Sequence, residues 1–247
     1  MYAILGQGNA NIVYVHPEGL LRISKSGVNP SSTLKYMALW RDRLSGYIPE
    51  MKLMDDPHYG KGILMEHIGK DGTLLLEFKP KWLIKSPDAP HGARACRTCA
   101  VDAVRGKPRS WCPLDLAAGV GLEQILTEMG AKHPGTIAEY LRARDLLPRL
   151  AQYQNGPSTF NDPTNELLDA MSARDCTILI EGTDAPPKEV SAASAWSLHN
   201  GLWIRATVVD LDEKQPHQIG KWRAIEGSLA PFYNSGVKNC RLYKKGN

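Results

Sequence analysis

The sequence predicts an α+β protein with two lobes, a small β-rich N-terminal lobe and a larger mixed α/β C-terminal lobe. Three observations support this fold class. Short apolar segments bounded by glycine turns fill the first 80 residues, helix-period patterns follow from residue 114, and two apolar strands interrupt those helices at 176–181 and 202–211. The chain has 247 residues and 43% hydrophobic content, enough for one large domain or two lobes. We place the domain boundary between residues 76 and 77, which gives an N-terminal domain over 1–76 and a C-terminal domain over 77–247.

The N-terminal lobe is predicted to hold a small sheet and one helix. The predicted strands are 2–5, 12–15, 20–25, 62–68 and 73–78. Apolar residues at helical spacing, Leu34, Met37, Trp40 and Leu44, predict a helix over 30–46.

The C-terminal lobe begins with a segment of different composition. Residues 87–113 are rich in Pro, Gly, Arg and Cys, which predicts a partly irregular structure. Helical periodicity then predicts helices over 136–154 and 164–174. A small β-rich lobe followed by a larger mixed lobe is compatible with a kinase-like fold whose active site lies between the two lobes.

Composition narrows the class of protein further. No apolar run approaches the roughly 20 residues that a membrane helix needs, and the first residues lack the pattern of a secretory signal. Five cysteines without such a signal predict reduced thiols or metal ligands rather than disulfides. We therefore expect a protein of the nucleus or cytoplasm, without a membrane partner.

Two lysines separated by one residue lie at the end of an apolar run. Lys79 and Lys81 would point to the same face of an extended strand, which Pro80 would end or restrict to a sheet edge. Residues 77–110 carry eight basic and three acidic side chains, a surplus of +5 in a chain whose total is +4. Such a basic field concentrates anionic ligands, so we predict a dense anion such as a polyphosphate between the two ammonium groups. A solvated lysine-rich loop is the alternative.

A glycine-containing turn joins the first two predicted strands, at residues 6–11. Its position between two strands argues against both the Walker P-loop and the dinucleotide fingerprint, which precede a helix. It suits the glycine-rich hairpin that covers ATP phosphates in kinase-like folds, although an ordinary hairpin turn has the same pattern. Arg22 and Lys25 on the third strand are candidate phosphate contacts, with surface charge as the alternative.

Three aspartates are candidates for catalysis or metal binding. Asp210 and Asp212 close an apolar strand at i and i+2, an arrangement in which Mg²⁺ could join them; a solvated acidic turn is equally compatible. Asp175 precedes a buried strand and could accept a hydroxyl proton, or it could cap a helix.

Three cysteines have part of the spacing of a zinc site. Cys96 and Cys99 form a Cys-x-x-Cys element, and Cys112 follows after twelve residues. His91 and His133 are candidates for a fourth ligand. The alternative is a set of buried cysteines in a packed loop.

Taken together, these segments resemble the inositol-pentakisphosphate 2-kinase family in its short, fungal-like form. The likeness lies in residues 6–13, 77–81, 96–99 with 111–116, 172–177 and 209–214. The resemblance implies transfer of the ATP γ-phosphate to the 2-hydroxyl of inositol 1,3,4,5,6-pentakisphosphate, which gives inositol hexakisphosphate, or phytate. It implies ATP and Mg²⁺ as cofactors, with zinc as a further candidate, and inositol pentakisphosphate as the substrate.

The resemblance also implies roles for individual residues. Asp175 would activate the 2-hydroxyl, with Lys79 near the transferred group. Substrate contacts would come from Lys79, Lys81, Arg97, Arg105, Asn155, Lys214 and Lys221. The nucleotide would meet Gly6, Gly8, Asn9, Ala10, Asn11, Arg22, Glu66 and His67. Asp210 and Asp212 would hold Mg²⁺.

The chain departs from the family pattern at several positions. The histidine that many relatives place four residues after the Arg97 position is Val101 here. Basic and aromatic positions downstream of Lys214 are Gln218 and Trp222, with Lys221 or Arg223 as substitutes if the local helix is shifted.

A non-catalytic module is the competing hypothesis. It would bind inositol phosphates or nucleic acid through a zinc-stabilised basic loop that carries Arg97, Arg105 and Arg109. The low aromatic content of 7% gives few side chains for base stacking, so nucleic acid is not expected as a partner. The acids Asp175 and Asp210 favour catalysis, because a pure anion binder gains nothing from them.

Overall fold

A computed structural model describes residues 2–8, 11–25, 27–156, 159–187 and 196–244. They form an α+β protein, as predicted, with two sheets. The chain divides into two compact units, the first of Met1–Glu77 with Leu179–Val209 and the second of Phe78–Ile178 with Asp210–Asn247. The division proposed from the sequence differs in residues 179–209, which we had assigned to the C-terminal domain. They group with the first unit because their strands join the sheet that contains residues 74–78.

The first sheet has five strands in the order β1-β2-β3-β5-β4, with antiparallel neighbours throughout. The strands are β1 (Ile4–Gln7), β2 (Asn11–His16), β3 (Gly19–Ser24), β4 (Met51–Asp56) and β5 (Gly60–Met65). Strand β4 was not predicted. It is an edge strand in which Asp56 alone is buried, so it lacks the apolar alternation that reveals a half-buried strand.

Helix α1 (Pro30–Arg43) belongs to the first unit and ends three residues before its predicted end. Its start follows from local chemistry: the Asn29 side chain accepts a hydrogen bond from the Ser31 N–H at 2.9 Å, and Pro30 occupies the first turn. Trp40 on this helix and Leu44 just after it are fully buried, which anchors the helix in the core of the unit.

The second sheet has four strands in the order β6-β7-β9-β8. They are β6 (Leu74–Phe78), β7 (Thr177–Thr183), β8 (Ser197–His199) and β9 (Leu202–Val209). Strand β7 is buried on both faces, since Ile178 and Ile180 on one face and Thr177 and Glu181 on the other are at most 3% exposed. Strand β9 ends two residues earlier than predicted.

The described part of the second unit is mostly helical. Its helices are α2 (Arg97–Val104), α3 (Pro113–Ala117), α4 (Leu122–Glu128), α5 (Pro134–Ala143), α6 (Leu146–Gln154), α7 (Asn165–Asp175), α8 (Ile219–Gly227), α9 (Ala230–Ser235) and α10 (Arg241–Lys244). The single helix predicted over 136–154 is two helices, because Arg144 has extended backbone angles and separates α5 from α6. None of the helices in the described residues is long and apolar enough to cross a membrane.

Candidate active site

Three lysines converge on two aspartates in the second unit. The Lys79 ammonium lies 2.9 Å from the Asp175 backbone oxygen and 3.3 Å from Asp210 Oδ2. Lys81 Nζ lies 3.4 Å from Asp175 Oδ1, and Lys214 Nζ lies 3.0 Å from Asp175 Oδ2. We call these five residues the lysine–aspartate cluster. All five are predicted site residues. Four of them stand out by their own position in the sequence, whereas Lys214 is predicted from the family resemblance alone.

The backbone presents the two central lysines differently from the prediction. Strand β6 ends at Phe78, so Lys79 and Lys81 do not share one face of a strand. Lys81 instead has a φ of 61°, in the left-handed region that side-chain-bearing residues rarely occupy. Asp210 has the same φ of 61°, which explains why β9 stops at Val209. Strained backbone of this kind costs about 1–3 kcal/mol and concentrates at functional sites.

Gln154 holds the Lys81 segment in place, a role that no sequence pattern indicates. Its fully buried amide accepts a hydrogen bond from the Leu83 N–H at 2.7 Å. The same amide donates to the backbone oxygens of Lys81 at 2.8 Å and Ala173 at 3.1 Å. These bonds join the chain on both sides of Trp82 to the last turn of α7, where Asp175 lies. The prediction had chosen the neighbouring residue, Asn155.

The charge on Asp175 is set by the lysines around it. Partial burial raises the pKa of its carboxyl group, but the charges of Lys214, Lys81 and Lys79 outweigh burial and lower that pKa below its usual value. Half of the Asp175 side chain is still exposed. Asp175 is therefore ionised at neutral pH and accessible to a ligand.

Asp210 has one neutral and one charged partner. Its Oδ2 accepts a hydrogen bond from the Thr177 hydroxyl at 2.7 Å and lies near Lys79. The side chain is 53% exposed, which leaves room for a further ligand. The backbone oxygen of Asp212 accepts a hydrogen bond from the Ser172 hydroxyl at 2.7 Å. This bond fixes the course of the chain after Asp210, and the role of Asp212 in metal binding stays a prediction.

Arg97 lies in a different environment from the one predicted for a substrate contact. Its guanidinium pairs with Glu226 at 2.7 Å and lies over the Trp82 ring, with only 10% of the side chain exposed. Arg174 lies over the same ring at 3.9 Å, and burial, followed by the charge of Arg97, lowers its pKa to about 9. Since a buried charge needs a partner, the Glu226 pair accounts for the burial of Arg97, and its contact with substrate stays a prediction.

The other predicted substrate residues are exposed on the second unit. Arg105 ends α2, Asn155 ends α6, and Lys221 lies on α8. Their contacts with substrate stay predictions. Arg223, the alternative to Lys221, donates two hydrogen bonds to the Phe160 backbone oxygen, at 3.0 and 2.6 Å, and this role is structural.

The predicted glycine turn lies in the first unit, between β1 and β2. Gly8 N–H donates to the Asn11 oxygen at 3.0 Å, and Lys25 Nζ donates to the Gly8 oxygen at 2.7 Å. Asn9 and Ala10 lie outside the described residues. A Cβ atom added at Gly6 or Gly8 would meet no atom within 4 Å, and neither residue has a positive φ. The described fold therefore does not itself require glycine at these two positions.

The predicted nucleotide residues Glu66 and His67 follow strand β5. The Glu66 carboxylate pairs with Arg205 at 2.8 Å, and Arg205 also pairs with Glu181 at 2.6 Å. Glu181 in turn accepts the Gly69 N–H at 2.6 Å. Arg205 and Glu181 were missed, although a charge in the middle of the apolar β9 strand predicts a buried partner.

Arg22 lies on β3, in register with Val13 on one side and Ile63 on the other. The side chain of His67 carries a buried Nδ1 atom without a hydrogen-bond partner among the described residues. Whether either residue contacts a nucleotide stays a prediction.

Four buried cysteines form the other notable group. The Sγ atoms of Cys96, Cys99, Cys112 and Cys240 all lie within 4.8 Å of one another. Neither His91 nor His133 is part of this group, whose fourth member is Cys240. Among the described residues, no other group of three or more His, Cys, Asp or Glu side chains is close enough to share one metal ion.

Comparison with known proteins identifies the family. A family model described as inositol-pentakisphosphate 2-kinase matches residues 42–123 and 123–228. A relative from Yarrowia lipolytica with that name is 24% identical over 296 residues, covering 98% of this chain and 95% of the relative. Relatives of the same name from Kluyveromyces lactis and Saccharomyces cerevisiae are 26% and 28% identical, over 65% and 66% of this chain and 51% and 57% of their own lengths.

The protein is accordingly a kinase, which is a type of transferase. Membership of a kinase family implies that it uses ATP and a small-molecule substrate. The chain belongs to the inositol-pentakisphosphate 2-kinase family.

Proposed function

We propose that this protein transfers the γ-phosphate of ATP to the 2-hydroxyl of inositol 1,3,4,5,6-pentakisphosphate, giving inositol hexakisphosphate. The lysine–aspartate cluster is the observation that carries this proposal. It joins cations for a polyanion to ionised carboxylates for proton transfer and metal binding. Phosphoryl transfer depends on positioning and charge stabilisation, which are the functions such a cluster can supply.

The substrate phosphates compete with the aspartates for the lysines. Lys81 and Lys214 pair with Asp175 in the described structure, and phosphate oxygens form charge-assisted hydrogen bonds with the same ammonium groups. When the lysines turn to the phosphates, the pKa of Asp175 rises towards its ordinary value, since those lysines are what lower it. Asp175 then becomes a stronger base at the moment when the substrate is bound.

In the reaction, the Asp175 carboxylate accepts the proton of the 2-hydroxyl as the hydroxyl oxygen attacks the γ-phosphorus. The bond from this phosphorus to the β–γ bridging oxygen breaks, and ADP leaves with the bonding electrons. Lys79, which lies near both Asp175 and Asp210, neutralises the charge that develops on the transferred group.

The donor set around Asp210 fits Mg²⁺, which prefers one or two carboxylates together with phosphate oxygens. Asp210 supplies an exposed carboxylate, with Asp212 as the second candidate, and bound Mg²⁺ would neutralise charge on the ATP phosphates. In the first unit, the turn at Gly6 and Gly8 would cover those phosphates, because glycine permits close approach of the backbone. A kinase-like two-lobed arrangement is part of this proposal, with Arg22, Glu66 and His67 at the nucleotide.

Labelled ATP distinguishes this proposal from a non-catalytic binding module. The protein is incubated with Mg²⁺, γ-labelled ATP and inositol pentakisphosphate, and the inositol phosphates are separated. We expect label in inositol hexakisphosphate, and a loss of about 10²–10⁴-fold in kcat for Asp175→Asn. Lys52→Ala, which breaks an exposed ion pair with Glu18 in the first unit, is the control and should keep the wild-type rate. Absence of label with every component present, together with salt-sensitive binding of RNA or DNA, would favour the module instead.

A further inference from the structure

Arg174 is a buried cation next to the lysine–aspartate cluster. It lies in the last turn of α7 and directly precedes Asp175, and only 2% of the residue is exposed. Burial of a charge costs free energy unless the charge finds polar partners. The contacts that Arg174 makes should therefore show what its charge does at this position.

The guanidinium of Arg174 is held by a backbone oxygen and an aromatic ring. Its Nε and Nη2 atoms donate to the Gln154 backbone oxygen at 3.2 and 2.5 Å, and its central carbon lies 3.9 Å from the centroid of the Trp82 ring. Gln154 is the last residue of α6, where a helix leaves carbonyl oxygens unpaired and its dipole favours a cation. A planar guanidinium can donate hydrogen bonds and stack on a ring at the same time, whereas a lysine ammonium is a point charge. The two contacts together therefore require arginine.

Both partners of Arg174 belong to the surroundings of Lys81. Trp82 directly follows Lys81, and the side-chain amide of Gln154 donates to the Lys81 backbone oxygen at 2.8 Å. Arg174 thus links the chain at Asp175 to the chain at Lys81, whose Nζ lies 3.4 Å from Asp175 Oδ1. Lys81 also has a φ of 61°, and backbone strain of this kind persists only where the surrounding structure fixes it. The contacts of Arg174 are part of that fixation.

We propose that Arg174 is a positioning residue that holds the Asp175 carboxylate against the Lys81 ammonium. The inference rests on the proposed function, in which Asp175 accepts the proton of the attacking hydroxyl. The charges that lower the pKa of Asp175 are those of Lys214, Lys81 and Lys79, so the role of Arg174 is geometric. Its value to the reaction follows from the sensitivity of the rate to position, since a misplacement of about 1 Å can cost about 10²-fold.

Arg174→Met tests this role. Methionine keeps an unbranched side chain beside the Trp82 ring but donates no hydrogen bond to the Gln154 oxygen. At a temperature where the variant is folded, we expect kcat for transfer to the inositol phosphate to fall by about 10–10²-fold, with KM for ATP unchanged. Arg174→Lys keeps the charge without the planar guanidinium and should lose less of kcat than Arg174→Met. Leu126→Ala is the control, because it truncates a fully buried side chain of α4 and should lower Tm but keep the wild-type kcat.

Two further measurements separate positioning from a loss of stability alone. Looser pairing with the lysines should raise the pKa of Asp175. The acid limb of kcat/KM, which reports the free enzyme, should therefore move to higher pH in Arg174→Met but not in Leu126→Ala. Hydrogen exchange at the Leu83 N–H, which donates to the Gln154 side chain at 2.7 Å, should be at least about tenfold faster in Arg174→Met than in Leu126→Ala.

Wild-type kcat and wild-type exchange at Leu83 in Arg174→Met would overturn the proposal. Equal losses of kcat in Arg174→Met and Leu126→Ala would also overturn it, because the effect would then be one of stability. If Arg174→Met does not fold, Arg174→Lys decides, since wild-type kcat and exchange in that variant refute the role as well. Exchange is measured without substrate, so a wild-type protein that transfers no phosphate would refute the proposed function and leave the exchange result standing.

Discussion

Replacing Gln154 by methionine tests how the lysine–aspartate cluster is held together. The substitution keeps the volume of the side chain but removes an amide that makes three hydrogen bonds to the backbone of Leu83, Lys81 and Ala173. Each such bond contributes about 1 kcal/mol to stability, which gives a loss of about 3 kcal/mol. For a chain of this size that loss corresponds to a fall in Tm of about 6–12 °C.

The same substitution should affect catalysis beyond its effect on stability. Two of the three bonds fix the segment from Lys81 to Leu83, so Lys81 should lose its position beside Asp175. We expect KM for the inositol phosphate to rise and kcat to fall at temperatures where the variant is still fully folded. Thermal unfolding by circular dichroism and initial-rate kinetics measure the two effects separately.

Gln152→Met is the matched control, because Gln152 is an exposed glutamine on the same helix. Its effect on the free energy of unfolding should stay within about 0.5 kcal/mol. A Gln154→Met variant with the Tm and KM of the wild type would refute the idea that this amide positions Lys81.

Three further outcomes are expected. Lys79→Ala should reduce kcat by about 10²–10³-fold with little change in Tm, as measured by labelled transfer and thermal unfolding; unchanged kcat would contradict its placement at the transferred group. Since the lysines lower the folded-state pKa of Asp175, its contribution to stability is present at neutral pH and is lost as the pH falls through that pKa. The Tm difference between wild type and Asp175→Asn should therefore be small at pH 7, because the Asp175 side chain is half exposed, and vanish in acid. Gly8→Ala should leave Tm unchanged, since the added methyl group meets no protein atom, but raise KM for ATP; an unchanged KM would argue against nucleotide at this turn.

Local patterns predicted elements that are determined by their own sequence. The hairpin of β1 and β2, helix α1 and the buried strand β7 all have strong periodicity, and the structure places them within a few residues of the prediction. Strand β4 was missed because an exposed edge strand carries little apolar signal. The α5–α6 break was missed because Arg144 departs from helical angles inside a run that is apolar at helical spacing on both sides.

The residues of the candidate site divide in the same way, into those marked by a local pattern and those placed by the tertiary fold. Lys79, Lys81, Asp175 and Asp210 could be chosen because charged residues stand out at the ends of apolar strands. Gln154 and Cys240 could not, since each contacts residues more than 70 positions away that only the folded chain brings near. The substrate contact predicted for Arg97 came from the family resemblance, and the pattern gave no sign of its buried partner Glu226, which lies 129 residues further along the chain.

The pairing of Lys81 and Lys214 with Asp175 also has a consequence for selectivity among anions. Because the Asp175 carboxylate is half exposed, each pair is worth about 1 kcal/mol or less, and inorganic phosphate or a monophosphate ester that displaces one pair forms a single contact of similar strength in its place. A ring that bears many phosphates replaces several pairs in one encounter and without a second loss of translational freedom. The aspartate would thus act as a resident competitor for the lysines, and densely phosphorylated molecules would displace it more readily than small anions.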